Sequence, residues 1–185
     1  MASCFRAVKD KRPVKLFFED EARFGRINNV SRCWVPPGSR AVVGQQMVRE
    51  YIYAYTAICP QTGENYSIIA PVTNTQVMNV FLKALSKRYR KYRIVLCLDA
   101  AGWHISGALK VPENIELLLL PAYSPQLNPT EHLWDYIREQ KGFNNHVFTS
   151  IDEVEQQLEK ALKEINDEKQ VIKGMCYFNW LKRIS

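Results

Sequence analysis

Three acidic residues of this chain stand where regular elements are predicted to end or begin. Asp20 closes the apolar run VKLFFED, Asp99 closes RIVLCLD, and Glu131 opens a predicted helix within LPAYSPQLNPTEHLWDYIR. Acids at the carboxyl edge of a sheet face the crevice in which ligands bind. If the strands that carry Asp20 and Asp99 are neighbours, the two carboxylates lie side by side, and Glu131 can border the same edge.

Converging carboxylates repel one another, and divalent cations relieve that repulsion. Mg²⁺ is commonly held by one or two carboxylates together with phosphate oxygens of the substrate. Two such ions ~3.5–4 Å apart suit phosphoryl transfer, since one activates the attacking oxygen and the other stabilises the leaving oxygen. The three acids therefore favour metal-dependent phosphoryl transfer.

Each acid also has a purely structural interpretation. Asp20, next to Glu21, could simply terminate a strand, and Asp99 could cap a turn. For Glu131 the alternative is a capping box, with Asn128 as N-cap, Pro129 at the first helical position and the glutamate three residues after the cap. It is the triple arrangement that favours the functional interpretation.

The apolar patterns predict a mixed α/β sheet with helices on both faces. Strands are expected at VKLFFED, around Arg32–Val35, and at RAVVGQQMV, EYIYAYTAICP, ENYSIIAPV, RIVLCLDA and IELLLLP. EYIYAYTAICP and ENYSIIAPV should form a hairpin across PQTG. The layout is three antiparallel strands, a helix, and two strands whose continuous apolar character is typical of parallel pairing.

Four helices are predicted from the 3.6-residue period. The first follows a cap at Asn74 or Thr75 and carries an apolar stripe of Val77, Val80, Phe81, Ala84 and Leu85. The second runs from Asn128 to about Lys141. The third starts with a capping box at Ser150 and carries Ile151, Val154, Leu158, Ala161 and Ile165 on one face. A short helix is expected near Cys176–Lys182.

Length and composition are those of one globular domain. The chain has 185 residues, 46% hydrophobic and 24% charged, and we expect a basic tail or linker stub at 1–13 followed by a domain at 14–185. No apolar run approaches the roughly 20 residues of a membrane span, and the N-terminus lacks a signal-peptide pattern. Five scattered cysteines without C-x-x-C indicate reduced thiols in a cytoplasmic protein. The net charge of +6 permits a polyanionic partner.

The blocks FFEDEARFG, LCLDAAGWH and LPAYSPQLNPTEHLWDYIR resemble, in the same order, the three blocks of DDE transposases, closest to the mariner-like group of bacterial insertion sequences. This resemblance implies an RNase H-like fold, two Mg²⁺ or Mn²⁺ ions, and DNA strand cleavage followed by strand transfer. By position, Asp20, Asp99 and Glu131 would be the catalytic, metal-binding acids. Glu21 adjoins the first acid and ranks second, because its side chain should point to the opposite face of the strand.

Two features depart from the mariner-like pattern. Asp99 and Glu131 are separated by 31 residues, fewer than usual, and only thirteen residues precede the first predicted strand. Such transposases normally carry N-terminal helix-turn-helix modules, so we expect a catalytic fragment, a split-frame product or a degenerate copy. The implied partners are double-stranded DNA (transposon ends and target), further copies of the chain on DNA, and a separate helix-turn-helix polypeptide. The implied location is the bacterial nucleoid in the cytoplasm, with no membrane partner.

Several basic and aromatic residues are candidates for supporting roles. The run SKRYRKYR supplies Lys87, Arg88, Arg90 and Lys91 as a phosphate-contacting patch, or alternatively a solvated cationic helix end. Arg23 and Arg26 follow the first acid, where DNA could also lie. His104 could orient the second block or a water, or hold the turn. His132 could assist Glu131 or sit on a helix surface. Trp34, Trp103 and Trp134 are expected to anchor the core and loops.

Three functions remain open from the residues. The leading hypothesis is a metal-dependent DNA nuclease and strand transferase, the catalytic domain of a transposase. The second is a non-catalytic, domesticated or decayed DNA-binding domain. The third is a resolvase-like or repair nuclease with the same fold and metals. The intact acids weigh against the non-catalytic domain. The resolvase-like or repair nuclease is disfavoured by the third sequence block, which has the pattern P-x-Y-S-P-x-L-N-P-x-E-x-x-W.

Overall fold

A five-stranded mixed sheet forms the centre of the protein. The computed structural model describes residues 10–28 and 30–183, so most of the predicted tail at 1–13 lies outside the described residues. The strands are β1 (Val14–Ile27), β2 (Met47–Cys59), β3 (Glu64–Ala70), β4 (Arg93–Leu98) and β5 (Ile115–Leu119). Their order is β3-β2-β1-β4-β5, with β1–β2 and β2–β3 antiparallel and β1–β4 and β4–β5 parallel. The predicted topology is confirmed.

Helices cover both faces of the sheet. They are α1 (Thr75–Arg88), α2 (Thr130–Gln140), α3 (Ile151–Asp167) and α4 (Lys169–Cys176), with short 3-10 turns at Pro125–Leu127 and Leu181–Arg183. One core cluster joins the sheet to α1, and a second joins the other face to α2, α3 and α4. None of the helices in the described ranges is long and apolar enough to cross a membrane.

The two-sided burial of β1 decides where its acids lie. Phe17 belongs to the core under α1 and Phe18 to the core under α2 and α3. Successive side chains of a strand alternate between faces. Glu19 and Glu21 therefore lie on the α1 face, and Asp20 lies on the α2 face.

The connection between β1 and β2 differs from the prediction. No strand forms around Arg32–Val35, and RAVVGQQMV reaches the sheet only from Met47 onward. Pro36 starts a tight turn, in which its carbonyl accepts from the Ser39 N–H at 3.0 Å, and adjacent prolines cannot donate to a strand ladder. Trp34 is fully exposed at 102%, so its predicted role as an anchor is wrong.

The helices were largely predictable, with shifts in the details. Asn74 caps α1 by accepting from the Val77 N–H at 2.9 Å, and Ser150 caps α3 through the Glu153 N–H at 3.1 Å. The buried face of α1 consists of Met78, Phe81, Leu82 and Leu85, so the predicted stripe is rotated and Val80 is exposed. The last helix lies earlier than expected, at α4, and only a 3-10 turn follows it.

Candidate active site

The first two acids lie on adjacent parallel strands. β1 pairs with β4 up to Phe18 opposite Cys97, and the same register, continued by two residues, places Asp99 opposite Asp20. Asp99 is the first residue after β4. β1 itself continues past Asp20 to Ile27 beside β2, so the predicted end of this strand at Asp20 is wrong. Asp20 and Asp99 therefore lie at the carboxyl end of β4, while β1 extends beyond them.

Asp20 is held by a tryptophan of α2. The indole Nε1 of Trp134 donates to Asp20 Oδ2 at 2.9 Å, and Trp134 is itself almost fully buried. Burial, reinforced by the charge of Glu131, raises the pKa of Asp20 to about 7, although the bond from Trp134 opposes this shift. A carboxylate in such a position is stabilised by a bound cation.

The start of α2 is fixed by bonds to the backbone of β1. Asn128 Nδ2 donates to the Glu19 carbonyl at 3.0 Å, and Thr130 Oγ1 donates to the Phe18 carbonyl at 3.1 Å. These two contacts join the third sequence block to the first. They place Glu131 at the second position of a helix whose first turn lies against β1.

The predicted capping box at Asn128 does not form. The Asn128 N–H donates to the Pro125 carbonyl at 2.8 Å, so it is not available to the Glu131 carboxylate. Asn128 Oδ1 accepts from the Thr130 N–H at 3.2 Å, and α2 begins at Thr130. The interpretation of Glu131 as a capping-box partner is therefore wrong. Its exposed carboxylate makes no hydrogen bond or ion pair with any described residue.

Asp20, Asp99 and Glu131 line one cleft of about 410 Å³. The rest of its wall comes from the turn after β4 and the loop before α2: Ala100, Ala101, Leu120, Pro121, Ala122, Tyr123, Ser124, Pro125 and Asn128. No lysine or arginine is among these residues. Three carboxylates with no lysine or arginine in the described lining of the cleft form an all-oxygen donor set, which suits hard cations such as Mg²⁺ and Mn²⁺.

A histidine bridges the second acid to Glu21. His104 Nδ1 lies 2.8 Å from Asp99 Oδ1, and its Nε2 lies 3.0 Å from Glu21 Oε1. The Ala101 N–H also donates to Asp99 Oδ1, at 2.9 Å. Burial alone would lower the pKa of His104, but the hydrogen bond and charge of Glu21, with those of Asp99, raise it. His104 thus holds one oxygen of Asp99 in place.

Sequence reasoning missed Glu19. Its carboxylate is fully buried, and in the described part of the chain neither oxygen has a hydrogen-bond partner. Burial and the charges of Glu21, Asp20 and Asp99 raise its pKa well above the ordinary value. The signal was present: an acid on the same face of a buried strand as Phe17 should require a specific partner.

The basic run of α1 does not join the acids. Lys87, Arg88, Arg90 and Lys91 are exposed at the end of α1 and in the following turn, near the start of β4. Asp99 lies beyond the far end of that strand, about 20 Å away at ~3.3 Å per residue. The patch and the cleft are at opposite ends of the sheet, a separation that is comparable to the width of a DNA duplex.

The remaining candidates lie outside the cleft. Arg23 is exposed, with its guanidinium 4.4 Å from the ring centre of Tyr51. Arg26 is engaged within the fold, since it pairs with Glu50 at 2.8 Å and donates to the Phe148 carbonyl at 3.1 Å. The exposed His132 ring packs edge-on against Phe178, with centroids 5.2 Å apart, which fits its alternative interpretation as a surface residue.

This sheet order, with helices on both faces, defines an RNase H-like domain, and the family follows from sequence comparison. Residues 15–155 match the family described as DDE superfamily endonuclease. The uncharacterized protein y4pE/y4sA of Sinorhizobium fredii (strain NBRC 101917 / NGR234) is 31% identical over 134 residues, which are 72% of this chain and 98% of that protein. The chain belongs to the DDE superfamily endonuclease family, and the resemblance to DDE transposases is confirmed.

Solved structures with a similar fold include those of Mos1. The Mos1 strand transfer complex has a TM-score of 0.58 at 19% identity, over 86% of this chain and 54% of that one. The Mos1 mariner paired end complex with Mn has a TM-score of 0.60 at 18% identity, over 86% of this chain and 55% of that one. This chain thus spans just over half the length of the Mos1 chains. At these identities the likeness establishes the RNase H-like fold.

Proposed function

We propose that this domain cuts DNA phosphodiester bonds and joins the resulting 3′-hydroxyl ends to target DNA. Asp20, Asp99 and Glu131 would hold two Mg²⁺ or Mn²⁺ ions. The observation that carries the proposal is the convergence of these carboxylates, from β1, the end of β4 and α2, on one cleft whose described lining contains no lysine or arginine. Membership of the DDE endonuclease family supports it.

Neighbouring residues would hold the three acids in the orientation in which they bind the ions. Trp134 holds one oxygen of Asp20, while His104 and the Ala101 N–H hold Oδ1 of Asp99. The bonds from Asn128 and Thr130 to β1 set the position of Glu131. When bound, the two ions would supply activation of the attacking oxygen and stabilisation of the leaving oxygen.

Two successive displacements at phosphorus account for the reaction. In the first, water attacks and the bond from phosphorus to the 3′ oxygen breaks, which leaves a 3′-hydroxyl and a 5′-phosphate. In the second, that hydroxyl attacks a phosphorus of target DNA and displaces its 3′ oxygen. No covalent bond between protein and DNA is required in this scheme.

The partners follow from the same proposal. Mos1 has been solved as a paired-end complex with a transposon end. By analogy, this chain would act as a homo-oligomer on double-stranded DNA, at transposon ends and target, in the bacterial nucleoid. A separate helix-turn-helix polypeptide would supply the reading of transposon ends.

A nicking assay tests the proposal directly. Purified protein should convert supercoiled plasmid to open circles in millimolar Mg²⁺ or Mn²⁺, and excess chelator should stop the reaction. DNA binding without any metal-dependent nicking would favour the non-catalytic alternative. Nicking without joining of 3′ ends to a target duplex would favour a resolvase-like nuclease.

Mg²⁺ is expected to stabilise the folded protein, because it relieves repulsion between the carboxylates that line the cleft and binds only the assembled cleft. At a hundred times its dissociation constant, a ligand of the native state adds about 2.7 kcal/mol. For a chain of this size that corresponds to a rise in Tm of about 5–10 °C. Thermal melts with Mg²⁺ and with chelator measure it. Asp99→Asn should abolish most of the shift, and an equal shift in wild type and variant would contradict a shared metal site.

DNA binding by this chain alone is expected to be weak, sensitive to salt and nearly indifferent to sequence, since contacts to phosphates do not read bases. Each phosphate neutralised steepens the log–log dependence of affinity on salt by ~0.9. Changing Lys87, Arg88, Arg90 and Lys91 to alanine should flatten that slope for all duplexes alike. Titrations across a salt series with transposon-end and scrambled duplexes measure it.

Lys160→Ala is the control for the basic-patch variant, because this lysine is exposed on α3, on the opposite face of the sheet from α1. It should leave the slope unchanged. Tight preference of the isolated chain for one duplex would mean that the domain itself reads bases.

A further inference from the structure

We propose that Glu19, Glu21 and His104 hold a divalent cation of their own, on the face of β1 opposite Asp20. One ligand atom from each of the three residues lies within 4.8 Å of the others. None of the three residues lines the cleft of Asp20, Asp99 and Glu131, although His104 also contacts Asp99. This proposal does not depend on DNA cleavage.

The distances within the cluster match those of a coordination shell. His104 Nε2 lies 3.0 Å from Glu21 Oε1 and 3.6 Å from Glu19 Oε2. Nitrogen and oxygen ligands bound at ~2.0–2.2 Å in a tetrahedral arrangement lie ~3.3–3.6 Å from one another. A small adjustment of the Glu21 carboxylate would admit an ion between the three groups.

The buried carboxylate of Glu19 is the strongest indication that a cation binds here. It is fully buried, and neither of its oxygens has a hydrogen-bond partner in the described residues. An ionised carboxylate in this position is costly unless it is paired or coordinates a metal. A protonated carboxyl would also need an acceptor for its proton, and none of the described residues offers one within hydrogen-bond distance. A cation would satisfy Glu19 in its ionised form.

His104 has the hydrogen-bonding arrangement of many metal-binding histidines. Its Nδ1 lies 2.8 Å from Asp99 Oδ1, and ligating histidines almost always donate their other ring N–H to a carboxylate or carbonyl. With the proton on Nδ1, the lone pair of Nε2 faces the two glutamates. Trp103 Nε1 donates to Glu21 Oε1 at 2.7 Å and orients that carboxylate in turn.

Charge and ligand type indicate which cation fits. Two carboxylates and a neutral imidazole carry a charge of −2, and within the described residues no lysine or arginine forms an ion pair with Glu19 or Glu21. One imidazole with two carboxylates suits Zn²⁺ and Mn²⁺ better than Mg²⁺, which prefers oxygen ligands and retains waters. The bound ion would restrain His104 and, through it, the orientation of Asp99.

The test separates this site from the cleft. The double variant Asp20→Asn/Glu131→Gln removes two acids of the cleft and keeps all three ligands of the proposed site. After exhaustive dialysis against chelator, the double variant should bind one Zn²⁺ per chain with high affinity, as measured by calorimetry and elemental analysis. Adding Glu19→Gln should weaken it more than the ~10–100-fold that loss of an outer-shell partner costs. Adding Glu113→Gln, at an exposed glutamate just before β5, at the end of the sheet where β4 begins, should change nothing.

Co²⁺ gives a second readout. Its visible absorption bands report coordination, and they should appear at one equivalent in the double variant and shift or vanish with His104→Gln. If Glu19→Gln does not fold, as judged by circular dichroism, Glu21→Gln replaces it, since glutamine retains an acceptor for Trp103. Equal Zn²⁺ affinity with and without Glu19→Gln, or no tight equivalent at all, would overturn the proposal. Neither result would bear on nicking by the wild-type protein.

Discussion

Glu131→Gln is expected to abolish metal-dependent nicking while the protein remains folded. The carboxylate of Glu131 makes no hydrogen bond or ion pair with any described residue, so its amide analogue leaves the packing of α2 unchanged. What the change removes is one negative oxygen ligand from the cleft. The loss should exceed the ~10–100-fold typical of an outer-shell partner. Asp20→Asn and Asp99→Asn should behave alike, as members of one metal-binding set.

Asp135→Asn is the matched control for Glu131→Gln. Asp135 lies one turn further along α2, is well exposed and is not among the residues that line the cleft. The same loss of charge at that position should leave nicking at the wild-type rate. Rates are compared on supercoiled plasmid in Mg²⁺ and in Mn²⁺. A Glu131→Gln protein that nicks normally would exclude Glu131 from the catalytic set.

The arrangement of the acids was predictable because it depends on local patterns and topology. The continuous apolar runs before Asp20 and Asp99 indicate buried strands, and the condition of the prediction, that these strands are neighbours, is met by the parallel pairing of β1 and β4. The turn-forming residues before α2 likewise locate the start of that helix. Local signals of this kind indicate which runs form strands and helices.

The features that were missed depend on contacts distant in sequence. The position of Asn128 depends on its side chain, which donates to the Glu19 carbonyl, 109 residues away. β1 continues beyond Asp20 because β2 pairs with it as far as Ile27, which no pattern in β1 alone reveals. The bridge from His104 to Glu21 also forms only once β1 and β4 are adjacent. Local propensity cannot predict contacts made by tertiary structure.

The long connection between β1 and β2 illustrates the same limit. Its apolar residues resemble strand residues in composition, yet Trp34 and Val42 are almost fully exposed. Prolines and a glycine at 36–38 interrupt the pattern, and a composition rich in β-branched residues was not enough to predict pairing. In this segment, the prolines and the glycine indicate the absence of a strand better than the hydrophobicity of the run indicates its presence.

Trp134→Ala is expected to lower the free energy of unfolding by about 3–5 kcal/mol, the usual cost of truncating a buried tryptophan. Trp134 is 1% exposed, packs edge-on against Phe24 with ring centroids 6.0 Å apart, and donates to Asp20. For a chain of this length Tm should fall by about 6–20 °C. Denaturant and thermal unfolding, monitored by circular dichroism, measure the effect.

Trp134→Phe separates packing from the bond to Asp20. Phenylalanine keeps most of the aromatic contact with Phe24 but cannot donate to Asp20 Oδ2, so the first acid loses the group that orients it. Nicking should fall by about 10–100-fold, the cost of losing an outer-shell partner of a metal ligand, while Tm falls far less than in Trp134→Ala. Trp180→Phe, a half-buried tryptophan outside the cleft, is the control and should nick at the wild-type rate. Full activity in Trp134→Phe would mean that packing alone positions Asp20.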